Sequence, residues 1–286
     1  MKGLRTVAAA VAAVLLSTSG LFAQELLGTK FPQTQTLERQ TRGAVEAKGT
    51  QDTRGMASLG FFSTYLWRGF KLGDGVVFQP VVGVQSRGFG ASIWTNYDEN
   101  QNDLTETDVI LTYTYPMDRF TFGFGYAFYN WNFEAGGPSL FFRGNTHEIF
   151  VSAAYEHPII TPKLTIYGDI DDGEGGFLTL SLSHVLDVAR NVPYFNLPKE
   201  TTLTIAALMS VNLDNELMGA GDDYTNFHHI EAAVAMNIPL TTTITFEPKI
   251  GFSTPLSNDA EDALKRASFD GDDDNIYAGA ALTYRF

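Results

Sequence analysis

From residue 56 onward, the chain alternates apolar residues with polar or small residues in short runs. The clearest run is FTFGFGYAF at 120–128, where every second residue is aromatic and the others are threonine, glycine and alanine. Successive side chains of a strand point to opposite faces, so this strand has one bulky aromatic face and one face with little bulk. A soluble sandwich would show polar groups to water, not glycines. A barrel in lipid places aromatic residues outward and small or polar residues toward its lumen.

Twelve such runs can be counted, at 57–67, 77–86, 89–97, 106–115, 119–130, 146–156, 163–170, 176–185, 201–211, 227–238, 241–252 and 276–286. Most are about ten residues long, the length that a tilted strand needs to cross a bilayer. The pattern predicts an all-β fold, a transmembrane antiparallel up-and-down β-barrel of about twelve strands. A secreted soluble β-sandwich is the competing interpretation.

The connections between these runs alternate in length. Short connections follow most even-numbered runs, and longer acidic connections, such as 98–105, 212–226 and 253–275, follow the odd-numbered runs. The connection at 186–200 breaks the pattern. This asymmetry is typical of outer-membrane barrels and predicts that both termini and the short turns face the periplasm.

The segment before the first run divides in two. Residues 1–23 have the features of a secretory signal peptide: Lys2 and Arg5, an apolar stretch, and small residues before a cleavage point. Residues 24–55 are polar and poor in aromatic residues, which favours a flexible periplasmic lead, although a segment folded inside the barrel is an alternative. The predicted barrel then spans 56–286.

Composition narrows the possible functions. The 286 residues include 19 Lys+Arg and 33 Asp+Glu, for a net charge of −14, which argues against a nucleic-acid partner. The absence of cysteine excludes a thiolate metal site and a cysteine nucleophile. The sequence has no phosphate-binding loop or dinucleotide fingerprint, so no cofactor is expected.

The last eleven residues end in an aromatic residue, and Leu282, Tyr284 and Phe286 share one face of the final run. This segment resembles the C-terminal signal of bacterial outer-membrane β-barrel proteins. The resemblance implies a Gram-negative outer membrane as the location. It also implies the barrel assembly machinery, outer-membrane lipid and lipopolysaccharide as partners.

A second resemblance lies at the start of the barrel. The residues Ser63-Thr-Tyr65-Leu-Trp67-Arg68-Gly69, followed by Gln79-Pro80, resemble the opening hairpin of an uncharacterised family of bacterial outer-membrane proteins. That family brings no settled activity with it. By position, Tyr65 and Trp67 are expected in the aromatic belt of the membrane, Arg68 toward the lumen or its rim, and Gly69 at a turn.

Alternation alone assigns several charged residues to the inner face. They are Arg68, Glu148, Glu156, Glu231, Glu247, Lys249 and Arg285. These groups could line a pore, or they could pair with one another and close the lumen. Small inner residues, among them Gly123, Gly125 and Gly279, favour an open channel.

Metal binding and serine–histidine catalysis are two further chemistries that the residue types suggest. Asp270, Asp272 and Asp274 have oxygen ligands at a spacing similar to that of calcium loops, without the glycine and glutamate of an EF-hand, so weak divalent-cation binding competes with a solvated acidic loop. Neighbouring residues of a strand face opposite ways, so His228 and His229 are not expected to share a metal, nor Ser183 and His184 to form a catalytic pair.

The sequence therefore predicts a non-enzymatic outer-membrane barrel that serves as a passive channel for small solutes or cations. A plugged structural or surface-interaction barrel is the first alternative, and a membrane-embedded hydrolase is the second. No oligomeric state follows from the sequence.

Overall fold

The computed structural model describes residues 53–133, 137–191 and 197–286. The predicted signal peptide and nearly all of the predicted lead lie outside these residues. The strands are β1 (Arg54–Phe62), β2 (Tyr65–Trp67), β3 (Phe70–Gly73), β4 (Val77–Ser86), β5 (Phe89–Asp98), β6 (Asp103–Met117), β7 (Phe120–Trp131), β8 (Gly144–Tyr155), β9 (Thr161–Asp169), β10 (Gly176–Asp187), β11 (Thr202–Leu213), β12 (Thr225–Pro239), β13 (Ile244–Pro255) and β14 (Asn275–Arg285). The helices are a 3-10 turn (Gly137–Leu140), α1 (Val188–Asn191) and α2 (Asn258–Ala267). None of these described helices is long and apolar enough to cross a membrane.

Twelve strands, β1 and β4 to β14, form a closed antiparallel barrel in which each strand pairs with its neighbours. The barrel closes where β1 pairs with β14, with Met56 opposite Arg285 and Phe62 opposite Gly279. The predicted fold class and strand number are confirmed.

The wall of the barrel is inverted relative to a soluble protein. On β10, Leu180 and Leu182 are exposed, whereas Ser181 and Ser183 between them are buried. The same alternation of exposed apolar and buried polar side chains continues around the other strands. An apolar outer face over a polar interior is the arrangement that lipid requires.

The two ends of the barrel differ. The long-loop end carries the connections 63–76, 99–102, 132–143, 170–175, 214–224 and 256–274. The short-turn end carries the connections 87–88, 118–119, 156–160, 188–201 and 240–243, together with Thr53 and Phe286 at the ends of the described chain. This matches the predicted alternation, including the longer connection after β10.

The first predicted run is wrong at its end. The wall strand β1 ends at Phe62, and residues 63–76 turn into the lumen as a hairpin built from β2 and β3. We call residues 63–76 the plug hairpin. Arg68 (φ 51) and Gly69 (φ 90) lie at its tip, and two successive positive φ angles are what a tight two-residue hairpin turn requires.

The side chains of the plug hairpin form an apolar core within the lumen. Tyr65, Leu66, Phe70 and Leu72 are completely buried. The expectation that Tyr65 and Trp67 belong to a membrane belt is therefore wrong, because both rings pack against aromatic side chains of the inner wall. Position at a strand end cannot distinguish a chain that reaches the interface from one that folds inward.

Helix α2 covers the plug hairpin at the long-loop end. The Ser257 hydroxyl accepts a hydrogen bond from the Ala260 amide and caps the helix, whose buried face includes Ala263 and Leu264. Beyond the helix, the Phe269 amide donates to the Lys71 carbonyl at 2.7 Å. We call residues 257–274 the lid. The acidic loop predicted at 253–275 thus contains a helix.

Candidate functional site: the plugged lumen

The plug hairpin crosses the lumen from one wall to the opposite wall. It leaves the wall between β1 and β4, and β9 stands six places from β1 in either direction around the barrel. The Tyr65 ring lies 5.6 Å from that of Trp94 on β5, and the Trp67 ring lies 5.4 Å from that of Tyr129 on β7. At the tip, Arg68 contacts β8, β9 and β10. The hairpin therefore obstructs the lumen across its diameter.

Arg68 makes a two-pronged ion pair with the far wall. Its Nη1 and Nη2 donate to Oε1 and Oε2 of Glu148 at 2.7 Å and 2.8 Å. The same carboxylate accepts a hydrogen bond from the Tyr129 hydroxyl at 2.9 Å. The arginine and glutamate side chains are 9% and 2% exposed, so the pair lies almost entirely out of water. Paired charge-assisted hydrogen bonds of this geometry fix direction as well as distance.

Aromatic rings enclose the same guanidinium group. Its central carbon lies 4.5 Å from the ring centre of Tyr167, and 4.7 Å from the ring centres of Phe177 and Trp67. Such positions allow attraction between the cation and the ring faces. We call the wall residues Tyr129, Glu148, Tyr167 and Phe177 the guanidinium cage. Each comes from a different one of four consecutive strands, β7 to β10.

The backbone of the plug tip is also held. His228 Nε2 lies 3.0 Å from the Arg68 carbonyl oxygen, and Asn275 Nδ2 donates to the Gly69 carbonyl at 3.4 Å. The Phe70 ring packs 5.1 Å from that of Phe142. Tip and wall are therefore joined on several sides of the lumen.

The orientation predicted for His228 and His229 is wrong. Met209 pairs with Ile230, but Val211 pairs with Phe227, so two residues of β12 stand against one residue of β11. This β-bulge turns both histidines inward, and their ring centres are 5.3 Å apart. Even so, no group of three possible metal-ligating His, Cys, Asp or Glu residues occurs within 53–133, 137–191 and 197–286.

Sequence reasoning missed a serine–histidine contact in the lumen. Ser210 Oγ lies 2.6 Å from His229 Nδ1, and His229 Nε2 lies 3.8 Å from a carboxylate oxygen of Glu231. All three side chains are buried inside the barrel, away from the lipid face where a hydrolase of lipids would meet its substrate. Ser210 Oγ also accepts a hydrogen bond from the His229 amide at 3.1 Å, so the group braces the bulge.

Glu231 and Lys249 occupy the wall on the other side of the lumen. Glu231 accepts a hydrogen bond from the Tyr277 hydroxyl at 2.6 Å. Lys249 Nζ lies 5.0 Å from the ring centre of Phe62 and 5.5 Å from that of Tyr277. Both charged residues are buried, and their neighbours are inward aromatic side chains.

The remaining predicted lumen charges lie nearer the short-turn end. Glu247 is half-buried and shares the inner face of β13 with Lys249. Arg285 is half-buried too, and its Nη1 donates to Thr245 Oγ1 at 2.6 Å. Predicted inner-face Glu156 lies just beyond β8, in the connection to β9.

Several inner charges were not predicted. The buried charged side chains of the described wall strands are Asp98, Glu106, Asp108, Glu148, Lys163, Asp169, Glu231 and Lys249. Asp98 was assigned to the acidic connection 98–105, because β5 extends further toward the long-loop end than the alternating run indicated. Continuing the inner parity of β5 from Asn96 to Asp98 would have found it.

Inner glycines make room for large side chains instead of leaving open space. A Cβ atom on Gly125 would overlap the Phe150 ring of the neighbouring strand, and a Cβ on Gly279 would overlap Phe62. The argument that small inner residues favour an open channel therefore fails at these positions. Each of these glycines leaves space on its strand that an aromatic ring of the neighbouring strand fills.

The acidic segment proposed as a metal site is occupied by protein contacts. Asp270 accepts a hydrogen bond from Lys71 Nζ of the plug hairpin, and its other oxygen accepts from the Asp272 amide at 3.1 Å. Within the part of the chain that the structure describes, Asp270, Asp272 and Asp274 do not form a group of three possible metal ligands, and cation binding here stays a prediction. Partial burial raises the pKa of Asp270, but the hydrogen bonds from Lys71 and the Asp272 amide, together with the positive charge of Lys71, outweigh burial, so this pKa lies below its ordinary value.

The C-terminal residues of the predicted assembly signal face outward. Leu282, Tyr284 and Phe286 are all exposed on the lipid side. Phe286 and Gly55 exchange backbone hydrogen bonds of 3.0 Å and 2.7 Å, and a Cβ on Gly55 would overlap the Phe286 ring. The terminal aromatic residue thus seals the junction between β14 and β1.

The chain was compared with known proteins. No family model matches it, and no curated protein matches it. Similar solved structures include the KdgM porin, with a TM-score of 0.45 and 10% identity over 82% of this chain and 99% of that chain. The NanC porin has a TM-score of 0.47 and 10% identity over 81% and 98%. The translocator domain of the autotransporter NalP from Neisseria meningitidis has a TM-score of 0.43 and 11% identity over 88% and 96%.

Proposed function

We propose that this chain is a Gram-negative outer-membrane channel for small solutes or cations, and that the plug hairpin holds the channel closed in the conformation described. The single observation that carries the proposal is the buried pair of Arg68 and Glu148 at the tip of an otherwise apolar plug. The channel opens when the tip leaves the guanidinium cage.

A buried ion pair is poorly suited to a permanent plug. Removing two charges from water costs several kcal/mol per ion, and well-packed apolar residues often stabilise a core better. In an open state, by contrast, Arg68 and Glu148 would both be hydrated. The pair therefore stabilises the closed state less than its short distances imply, which suits an element that must leave the lumen.

The surroundings support the same function. The wall presents an apolar face to lipid, and its inner face carries hydroxyl, amide and charged groups that a hydrated solute could contact. In this proposal the short turns face the periplasm, the long-loop end faces outward toward lipopolysaccharide, and the barrel assembly machinery inserts the chain.

One observation favours the alternative of a structural barrel without transport. Trp67, Tyr129, Trp131 and Phe142 pack around one another in the lumen, with ring centres 5.4 to 5.9 Å apart. Packing of this kind stabilises the closed state independently of the ion pair.

Planar-bilayer recording separates the two functions. One variant replaces residues 64–75 by a two-residue Asn-Gly turn, because β1 and β4 already pair up to Phe62 and Val77. Purified wild-type protein is expected to conduct rarely, and the shortened protein to conduct steadily. Arg119→Ala, in an exposed turn at the short-turn end, is the control and should behave like wild type. A shortened barrel that folds, as judged by heat-modifiable migration and β-sheet circular dichroism, yet carries no current would overturn the channel and favour the structural barrel.

A further inference from the structure

The wall of the barrel contains a complete binding site for a guanidinium group, which the plug hairpin fills with its own side chain. We propose that the guanidinium cage binds small guanidinium-bearing solutes, and that such a solute competes with Arg68 and so releases the plug. The binding of such a solute is inferred from the geometry of the cage alone. The claim that binding opens the channel rests on the proposed channel function.

The cage is formed by the wall alone. Glu148 supplies both carboxylate oxygens and Tyr129 fixes that carboxylate with its hydroxyl. Tyr167 and Phe177 supply two ring faces. These four residues lie on β7 to β10, strands of the barrel wall that pair with one another and not with the hairpin.

The geometry selects the chemical class of ligand. A planar fork of N–H donors matches a carboxylate at two points, whereas an ammonium group is a compact point charge that makes no such match. The two ring faces beside the carboxylate further favour a flat, weakly hydrated cation. The site is therefore expected to prefer an alkylguanidinium over an alkylammonium ion of similar size.

The remaining contacts of Arg68 come from outside the cage. They are the Trp67 ring of the hairpin itself, Met218 Sδ at 3.9 Å from Nη1, and His228 Nε2 at the backbone carbonyl. A small ligand would lack the tethered backbone contact. Arg68 is tethered to the barrel, so its guanidinium group has a high effective concentration at the cage. A free ligand competes only when its own concentration exceeds that effective concentration.

Chemical rescue tests the site. Arg68→Ala empties the cage, and Arg68→Met keeps an apolar side chain for the packing of the hairpin if the alanine variant folds poorly. Methylguanidinium at millimolar concentration is the probe, with methylurea as its neutral counterpart and methylammonium as the point charge. The readouts are the melting temperature and the tryptophan emission of purified protein, since Trp67 and Trp131 lie at the site.

Methylguanidinium is expected to raise the melting temperature of the Arg68 variants saturably, with at least tenfold weaker binding of methylammonium and no effect of methylurea. Wild type, whose cage is occupied, should show no shift at these concentrations, and the double variant Arg68→Met with Glu148→Gln should lose the response. A response that persists without Glu148, or that methylurea reproduces, overturns the site.

Bilayer recording distinguishes the site from the channel. Methylguanidinium at concentrations above the effective concentration of the tethered Arg68 should increase the open time of the wild-type channel. The open time of the Glu148→Gln channel should not change. Saturable binding to the Arg68 variants without any current from the shortened barrel would support the site and overturn the channel. Steady current from that barrel without binding to the Arg68 variants would overturn the site and keep the channel.

Discussion

At the scale of single residues, the fit between inner glycines and the aromatic rings of neighbouring strands governs how the lumen is filled. Gly125→Ala places a methyl group where the Phe150 ring lies. We expect this change to lower the free energy of unfolding by about 1–3 kcal/mol, the usual cost of overpacking. Urea titration of protein folded in lipid vesicles measures the change.

Two variants make that measurement specific. Gly168→Ala is the matched control, because the nearest atom to its new methyl group, Cγ1 of Ile149, is 3.9 Å away, an ordinary contact. Phe150→Ala should cancel much of the cost of Gly125→Ala when the two are combined. If the losses in free energy of unfolding are additive in the double variant, Gly125 does not serve to make room for the Phe150 ring.

At the scale of elements, the lid is tied to the plug hairpin by charged groups, and its attachment should depend on pH. Burial lowers the pKa of Lys71, but hydrogen bonds to Asp270 and Asp74 outweigh this, so the pKa is raised. The stabilisation from Lys71 is therefore present below its unfolded pKa of about 10.4 and is lost as the pH rises through the higher folded value. The lowered pKa of Asp270 gives stabilisation present above about 3.9 and lost as the pH falls through the lower folded value. The lid should be most firmly held between about pH 4 and 10.

The chain has no cysteine, so a single spin label can report on the lid. A label at Asp262→Cys, on the exposed face of α2, should become more mobile outside that pH range. In Lys71→Met the increase at alkaline pH should disappear, because the lid is already loosened at neutral pH. A label at Asp118→Cys, in a turn at the opposite end, serves as the control. Mobility of the lid label that is the same from pH 3 to 11 would refute the tie.

How much of these elements the sequence reveals depends on whether a pattern is local. Alternation between Leu180 and Ser181 follows from strand geometry and lipid, so the wall was predicted with its strand number. The inward fold of residues 63–76 depends on rings of distant strands, such as Trp94 and Tyr129, and no local pattern contains it. The guanidinium cage joins four strands for the same reason, so Glu148 and Arg68 were assigned separately to the inner face but not to each other.

Of two further features that the sequence analysis did not predict, helix α2 had a local signal and the bulge in β12 did not. Helix α2 shows apolar residues at Ala260, Ala263, Leu264 and Ala267, the spacing of one helical face, after the capping residue Ser257. The many acidic residues of the same segment are equally typical of a solvated loop, which masks the helical spacing. The bulge at His228 had no comparable signal, because one extra residue reverses the parity of a strand without changing its composition.

At the scale of the whole molecule, charge should set the selectivity of the open barrel. Six carboxyl-bearing residues and two lysines are buried on the described inner wall, and the long loops are acidic as well. When the plug hairpin leaves, its Arg68 leaves with it, so the pathway becomes more negative. We expect the shortened barrel to prefer cations, and the preference to weaken as salt rises and the screening length falls below about 10 Å.

Reversal potentials in a KCl gradient measure this preference. Glu148→Gln in the shortened barrel should reduce it, whereas Glu99→Gln, in an exposed connection, should change it less because exposed charges are screened. Selectivity for anions would contradict the role assigned to the wall carboxylates.

The position of the plug hairpin within the chain also constrains how the molecule is assembled. The hairpin follows the first wall strand directly, yet its tip contacts strands that are synthesised later, and the last junction joins Phe62 to Gly279 across most of the sequence. Pairing between such distant residues is intrinsically slow, because much chain entropy is lost before the contact forms. While that junction remains open, the hairpin can lie against the nascent inner surface and act as a template on which the later strands curl. Once it is joined, the closed wall surrounds the hairpin, so closure of the barrel and the first seating of its plug coincide.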